Sequence, residues 1–174
     1  MKYLIFFITI SFSCFGLILK AQNFTFTSQA ELDAAVFPSQ EHGVTLDNDT
    51  TLPLIEQIHN LSPLSVIDML SLYMKNTRVS DCSAISNTEY LYLEIHGTNK
   101  LTNLDCINTV AGLTAIHVYN DQSLTSINLA SNSETLFDLE IDNCNSLKTI
   151  DVDLPNLIIP DNPNRRLEVH INSN

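Results

Sequence analysis

Three side chains able to carry a proton or hold a metal recur at one interval. Glu94, His117 and Glu140 lie 23 residues apart. His96, Tyr119 and Asp142 keep the same interval. Glu168 and His170 follow near the end of the chain, in a segment that could extend these sets. Carboxylate and neutral imidazole both ligate divalent ions, so a Glu-His-Glu column is a candidate metal site. The same column also describes a solvated ladder in which an imidazole separates two acids. Side chains stacked on one parallel face point the same way, whereas a metal needs ligands that converge. The ladder is the better reading, and neither a metal nor another cofactor is expected. Glu94, His96, His117, Tyr119, Glu140 and Asp142 are instead candidates for an exposed contact face.

Other chemistry is sparse. Cys82 and Cys106 each follow an Asp and lie 24 apart. On adjacent levels of a stack their Cα atoms would be about 5 Å apart, within disulfide reach. Two reduced, inward-facing cysteines are the alternative. Cys144 falls in a polar corner and reads as a lone thiol. No Gly-x-Ser-x-Gly, His-Glu-x-x-His or phosphate-cradling Gly loop occurs. Trp is absent, which weakens the case for an aromatic sugar platform, although Tyr73, Tyr90, Tyr92 and Tyr119 remain. Parallel β-helix enzymes that degrade acidic polysaccharides are the nearest enzymatic alternative by architecture. Such a site needs an acid cluster with a base nearby. Asp47 and Asp49, or Asp138, Glu140 and Asp142 with Lys148, supply these types. Sequons at Asn23, Asn48 and Asn60 matter only in a eukaryotic secretory path.

The elements that must position these residues are visible as a repeat. Leu93, Ile116 and Leu139 are 23 apart, as are Ile95, Val118 and Ile141. Leu101, Leu124 and Leu147 follow the same rule, and so do Leu104, Ile127 and Ile150. An earlier, worn copy carries Leu70 and Leu72, 23 before Leu93 and Ile95, with Val79 and Cys82 in its tail. "GVTLD", Gly43 to Asp47, offers a strand pair in Val44 and Leu46. After the third clean copy, an insert from Leu154 to Asn164 breaks the interval, and "RLEVHIN", Arg166 to Asn172, supplies a last strand.

Each copy alternates apolar and polar residues, so one face of a short strand is greasy. One such strand cannot bury that face alone; stacking it on the next copy pairs the backbones and extends the stripe. Asn and Asp in "YNDQS" and "DNCNS" suit the left-handed conformations that a corner needs. Five strands are expected. At the front, Phe24 and Phe26 alternate like a strand. Ser28-Gln29-Ala30-Glu31 is a capping box for a short helix, with Leu32, Ala35 and Val36 as its apolar side and Pro38 as its stop.

The first residues read as a secretory signal peptide over 1–21, with Lys2, an apolar run from Tyr3 to Leu19, and cleavage after Ala21. The full chain has the length and the 44 % hydrophobic content of one globular domain. Its 20 acids against 8 bases give a net charge of −12. That opposes nucleic acid, whose phosphates need a basic face, and an anionic membrane surface.

Four segments carry a family resemblance: "NFTFTSQAELDAAVF", "HNLSPLSVIDMLSLYMKN", "LEIHGTNKLTNLDCI" and "LEIDNCNSLKTIDV". Together they resemble the receptor L domain family, a branch of leucine-rich repeat proteins, over Asn23 to about Val152. Related repeats are common in secreted proteins of the Bacteroidetes type. The resemblance implies a binding or adhesion surface and brings no catalytic residue set. The chain departs from the family in having only four Gly, in placing Cys82 and Cys106 where Gly is frequent, and in the 154–164 insert.

The expectation is thus a repeat solenoid of leucine-rich, right-handed β-helix and L-domain-like type, mostly β and loop. A parallel sheet lies on one side, 22–40 forms the cap, and about five turns fill 41–174; either the last strand is a poor cap or the chain is a fragment of a longer protein. The expected role is non-catalytic, secreted or cell-surface binding of a protein or glycan. No nucleic acid is involved, nor a membrane once the leader is removed. A spacer between other domains is the third reading.

Overall fold

The computed structural model describes residues 22–37, 41–97, 100–129, 135–151 and 168–172. The expected signal peptide, the Pro38 helix stop and the 154–164 insert lie outside the described residues.

The fold is mostly β, with a parallel sheet and little helix. Strand β1 (Gln22–Phe26) opens it. Six more strands follow in the main sheet, one more than the expected five: β2 (Glu41–Asp47), β3 (Met69–Lys75), β4 (Tyr90–His96), β5 (Gly112–Tyr119), β7 (Asp138–Asp142) and β9 (Glu168–Asn172). They pair in chain order, β1-β2-β3-β4-β5-β7-β9, and every pairing is parallel. At about 4.8 Å per strand the sheet is roughly 29 Å across. The Leu-x-x-Ile segments form a second, two-stranded parallel sheet from β6 (Ser126–Asn128) and β8 (Thr149–Asp151).

Alternation decides which face is buried. Val44, Leu72, Leu93, Ile116 and Leu139 form one inward column by register. Leu46, Met74, Ile95, Val118 and Ile141 form the next, and all ten are buried. The interval is not uniform. Leu72 pairs with Leu93 and Met74 with Ile95, a spacing of 21 and not the expected 23. A slip of two residues leaves the same side chains facing inward, so alternation alone does not detect it. Between β4 and β5 one residue is added: Leu91 pairs with Leu113, but Leu93 pairs with Ile116. Thr114 at this bulge is buried and donates its hydroxyl to the Leu91 carbonyl at 3.1 Å.

Behind the sheet the chain returns through 3₁₀ turns at Ser62–Val66, Ser83–Ile85 and Asp105–Thr109, which lie side by side. Each buries one aliphatic residue: Leu64, Ile85 and Ile107. Each is preceded by an Asn or Asp whose side-chain oxygen accepts the N–H two residues on: Asn60 from Ser62, Asp81 from Ser83 and Asn103 from Asp105.

The front cap holds helix α1 (Gln29–Asp33), with Ser28 as N-cap accepting the Glu31 N–H. Glu31 closes the box one residue further back than expected, taking the Thr27 N–H at 2.8 Å. Those Thr27 hydrogen bonds hold its carboxyl below the usual range. Leu32 is buried, but Val36 is 85 % exposed and does not join the expected apolar side, because the helix ends at Asp33. Phe37 instead packs edge-on against Phe24 and Phe26.

Candidate functional site

By register, alternate positions of the main sheet fall into three rows on the face opposite the core columns. Tyr73, Glu94, His117, Glu140 and His170 share one. Lys75, His96, Tyr119, Asp142 and Asn172 share the next. Tyr92, Ala115, Asp138 and Glu168 form a third. All six residues expected on the contact face occupy the first two rows. His170 extends the first, whereas Glu168 belongs to the third.

What each row holds depends on the corner that follows it. Asn76, Gly97, Asn120 and Asn143 each come directly after a strand and adopt φ between 51° and 68°. This turns these four strands out of the sheet at the same level. The Asn76, Gly97 and Asn120 N–H groups donate to His96, Tyr119 and Asp142 carbonyls on the next strand. Asn143 donates its side-chain amide to the Asn120 Oδ1 at 2.6 Å, a further cross-tie. Asn48 is also committed: its Oδ1 accepts the Ile58 N–H and its amide donates to the Asn76 carbonyl. A sequon at Asn48 is therefore not available for a glycan.

The rows are laced together. His96 Nε2 meets Glu94 Oε1 at 2.6 Å. The Tyr92 hydroxyl sits 3.1 Å from Glu94 Oε2 and 3.0 Å from His117 Nδ1. His117 Nε2 reaches Asp138 Oδ2 at 2.9 Å, and the Tyr119 hydroxyl donates to Glu140 Oε2 at 2.6 Å. The expected column, with His117 between Glu94 and Glu140, forms by register, but His117 hydrogen-bonds to neither acid directly. His117 turns diagonally to Asp138 and meets Glu94 through Tyr92. Asp142 is in the row by register, but its carboxylate makes no hydrogen bond to the other five candidates.

The proton inventory of this chain is restrictive. Ionised carboxylates only accept, and Tyr92 has one proton. Tyr92 gives that proton to Glu94 Oε2, and its oxygen also faces His117 Nδ1. Burial, then the Glu94 hydrogen bond and the charges of Glu94, Asp138 and Glu140, push the Tyr92 phenol up to about 12. Burial and the Glu140 contact raise Tyr119 still further. Both phenols are therefore donors at physiological pH.

Three rings cross the face in sequence. Tyr73 and His96 have centroids 5.0 Å apart, and His96 and Tyr119 4.6 Å, with planes tilted by 37° and 35°. Tyr73, Tyr92 and Asp138 were not among the six candidates. Tyr92 and Asp138 are separated by twice 23 residues, with the small Ala115 between them, so the repeat interval did carry their signal.

Cys82 and Cys106 are disulfide-bonded with Cα atoms 5.6 Å apart, at the 3₁₀ turns and away from the sheet face. Cys144 is a buried free thiol, pushed up by burial. Among the described residues no group of three or more His, Cys, Asp or Glu is placed to hold a metal. None of the described helices is long and apolar enough to cross a membrane.

The class defined so far is a mostly β protein whose parallel sheet presents a polar, aromatic outer face. No family model, no curated protein and no solved structure matches the chain.

Proposed function

We propose that this chain is a secreted or cell-surface solenoid of leucine-rich, L-domain-like repeats whose outer sheet face binds a protein or glycan without catalysis. The supporting observation is the lacing of that face. Glu94, His96, His117, Tyr119 and Glu140 are held by hydrogen bonds to each other or to Tyr92 and Asp138, and His96 and Tyr119 also stack. Side chains fixed before a ligand arrives lose less entropy on binding. Seven parallel strands in chain order, with 3₁₀ returns stacked behind them, support the solenoid. A disulfide suits an oxidising compartment and supports export, as does the apolar leader over 1–21. On this reading 22–40 caps the stack and 41–174 forms it.

A second reading rests on one contact set. Asp138, His117 and Tyr92 stand in the order of orienter, base and hydroxyl that hydrolytic sites use. The phenol held up at about 12 opposes a nucleophilic role. Binding is preferred for that reason. The test is a panel of glycans and secreted proteins against the protein and its Glu94→Lys/Glu140→Lys variant. Binding that is lost in the variant supports the face. Binding that persists unchanged, or polysaccharide turnover that depends on Tyr92 and His117, overturns the reading.

A further inference from the structure

We propose a second binding site, for a small oxyanion, at the corner that follows the strands. The site is a cavity of about 430 Å³ lined by Arg78 and Lys100, the hydroxyl residues Thr50, Thr77 and Ser123, and the amide of Gln57. It shares no residue with the outer sheet face and does not depend on that reading.

The backbone sets this meeting. The Arg78 N–H donates to the Ile58 carbonyl at 2.7 Å, and the Lys100 N–H donates to the Val79 carbonyl at 3.0 Å. Gln57, Arg78 and Lys100 therefore stand on three neighbouring runs of chain. The described residues contain four Lys and Arg side chains, Lys75, Arg78, Lys100 and Lys148, so half of them line this one cavity. Lys75 pairs with Asp47 at 3.5 Å. Among the described residues, neither Arg78 nor Lys100 has a carboxylate within ion-pair distance. No Asp or Glu lines the cavity. Two like charges on adjacent runs repel, and an anion between them removes that repulsion.

An ammonium and a forked guanidinium are the charged donors that an oxyanion takes. The volume exceeds that of an inorganic ion and admits a sugar acid or a sulfated sugar as well. The net charge of −12 opposes anions at long range. In about 0.15 M salt that field is screened beyond roughly 8 Å, and the two local cations decide.

The test is calorimetric titration of the full chain at fixed ionic strength with sulfate, phosphate and galacturonate in separate arms and chloride as control. One saturable site is expected. Its preferred arm separates a free inorganic ion from a carboxylated sugar. Binding should weaken about ten-fold in Lys100→Gln and be lost in Arg78→Gln/Lys100→Gln. Glu94→Lys/Glu140→Lys should leave it unchanged. Thermal unfolding checks that the variants fold. If Arg78→Gln does not, the exposed Lys100→Gln decides alone. Absence of saturable heat in all three arms, or equal affinity in the Lys100 variant, overturns the proposal.

Discussion

Tyr119 and Glu140 meet across neighbouring strands, phenol to carboxylate, at 2.6 Å. Tyr92 makes the same kind of contact with Glu94 at 3.1 Å. Burial raises both phenols, and the carboxylates around them add to the effect by repelling a phenolate.

Alkaline titration followed by tyrosinate absorbance should therefore find two phenols that resist ionisation well above pH 10. Tyr92 should ionise near 12 and Tyr119 later. Because the folded state holds these protons more tightly than the unfolded chain, their contribution to stability is whole below about pH 10. It is lost as the pH rises through about 12. Tyr92→Phe should remove one late step. All tyrosines ionising together near 10 would show that the face is not laced as described.

Gly97 stands in the corner column that Asn fills at the other three levels, with φ 68°. A Cβ at this position would collide with Asn76 Oδ1. Gly97→Ala should then cost about 1–2 kcal/mol from the left-handed conformation alone, with the clash in addition. Asn120→Gly keeps the backbone freely but loses the exposed cross-tie from Asn143, and should cost about 0.5–1.5 kcal/mol. Chemical denaturation measures both. A neutral Gly97→Ala would mean that this corner is not held in the left-handed region.

Much of this architecture is legible in the sequence, and the limits have definite causes. Strand faces followed from alternation at Leu91, Leu93 and Ile95, and the inward tail from Val79 and Cys82. The pairing of Leu72 with Leu93 escaped because a shift of two preserves which side chains are buried. The 3₁₀ turns were hidden because one buried Leu64, Ile85 or Ile107 per turn has no period of its own. β6 and β8 are three residues each, too short for alternation to declare. On the face, the rows were legible and the lacing was not. Which acid His117 chooses depends on side-chain angles, and nothing in a 23-residue interval separates Asp138 from Glu140.

The register between β3 and β4 can be tested without a structure. Leu72→Ala and Leu93→Ala should each cost about 2–5 kcal/mol, because both side chains are fully buried in one continuous core. If the two are partners, the double mutant should depart from additivity by about 0.5–3 kcal/mol. Leu70→Ala with Leu93→Ala should be closer to additive, since Leu70 pairs with Leu91. Stronger coupling for the Leu70 pair would restore the uniform 23-residue interval.

The Cys82–Cys106 bond joins two returning turns that also pack through Ile85 and Ile107. Closing a loop of 24 residues constrains the unfolded chain by an amount worth about 3 kcal/mol in the loop-entropy account. Because the turns also pack through Ile85 and Ile107, the folded state should survive removal of the bond and only its stability should fall. Cys82→Ala/Cys106→Ala should lower the denaturation midpoint while leaving the far-ultraviolet spectrum of a parallel sheet intact. Alkylation of the unfolded chain from Gln22 onward, without reductant, should label one thiol, Cys144, and three once the bond is reduced. Cys82 is buried in the core and Cys106 only partly so. If the bond carries the stability, Cys106→Ser alone should cost nearly as much as the double variant. Three labelled thiols before reduction, or a double variant as stable as the parent, would mean that packing alone joins these turns.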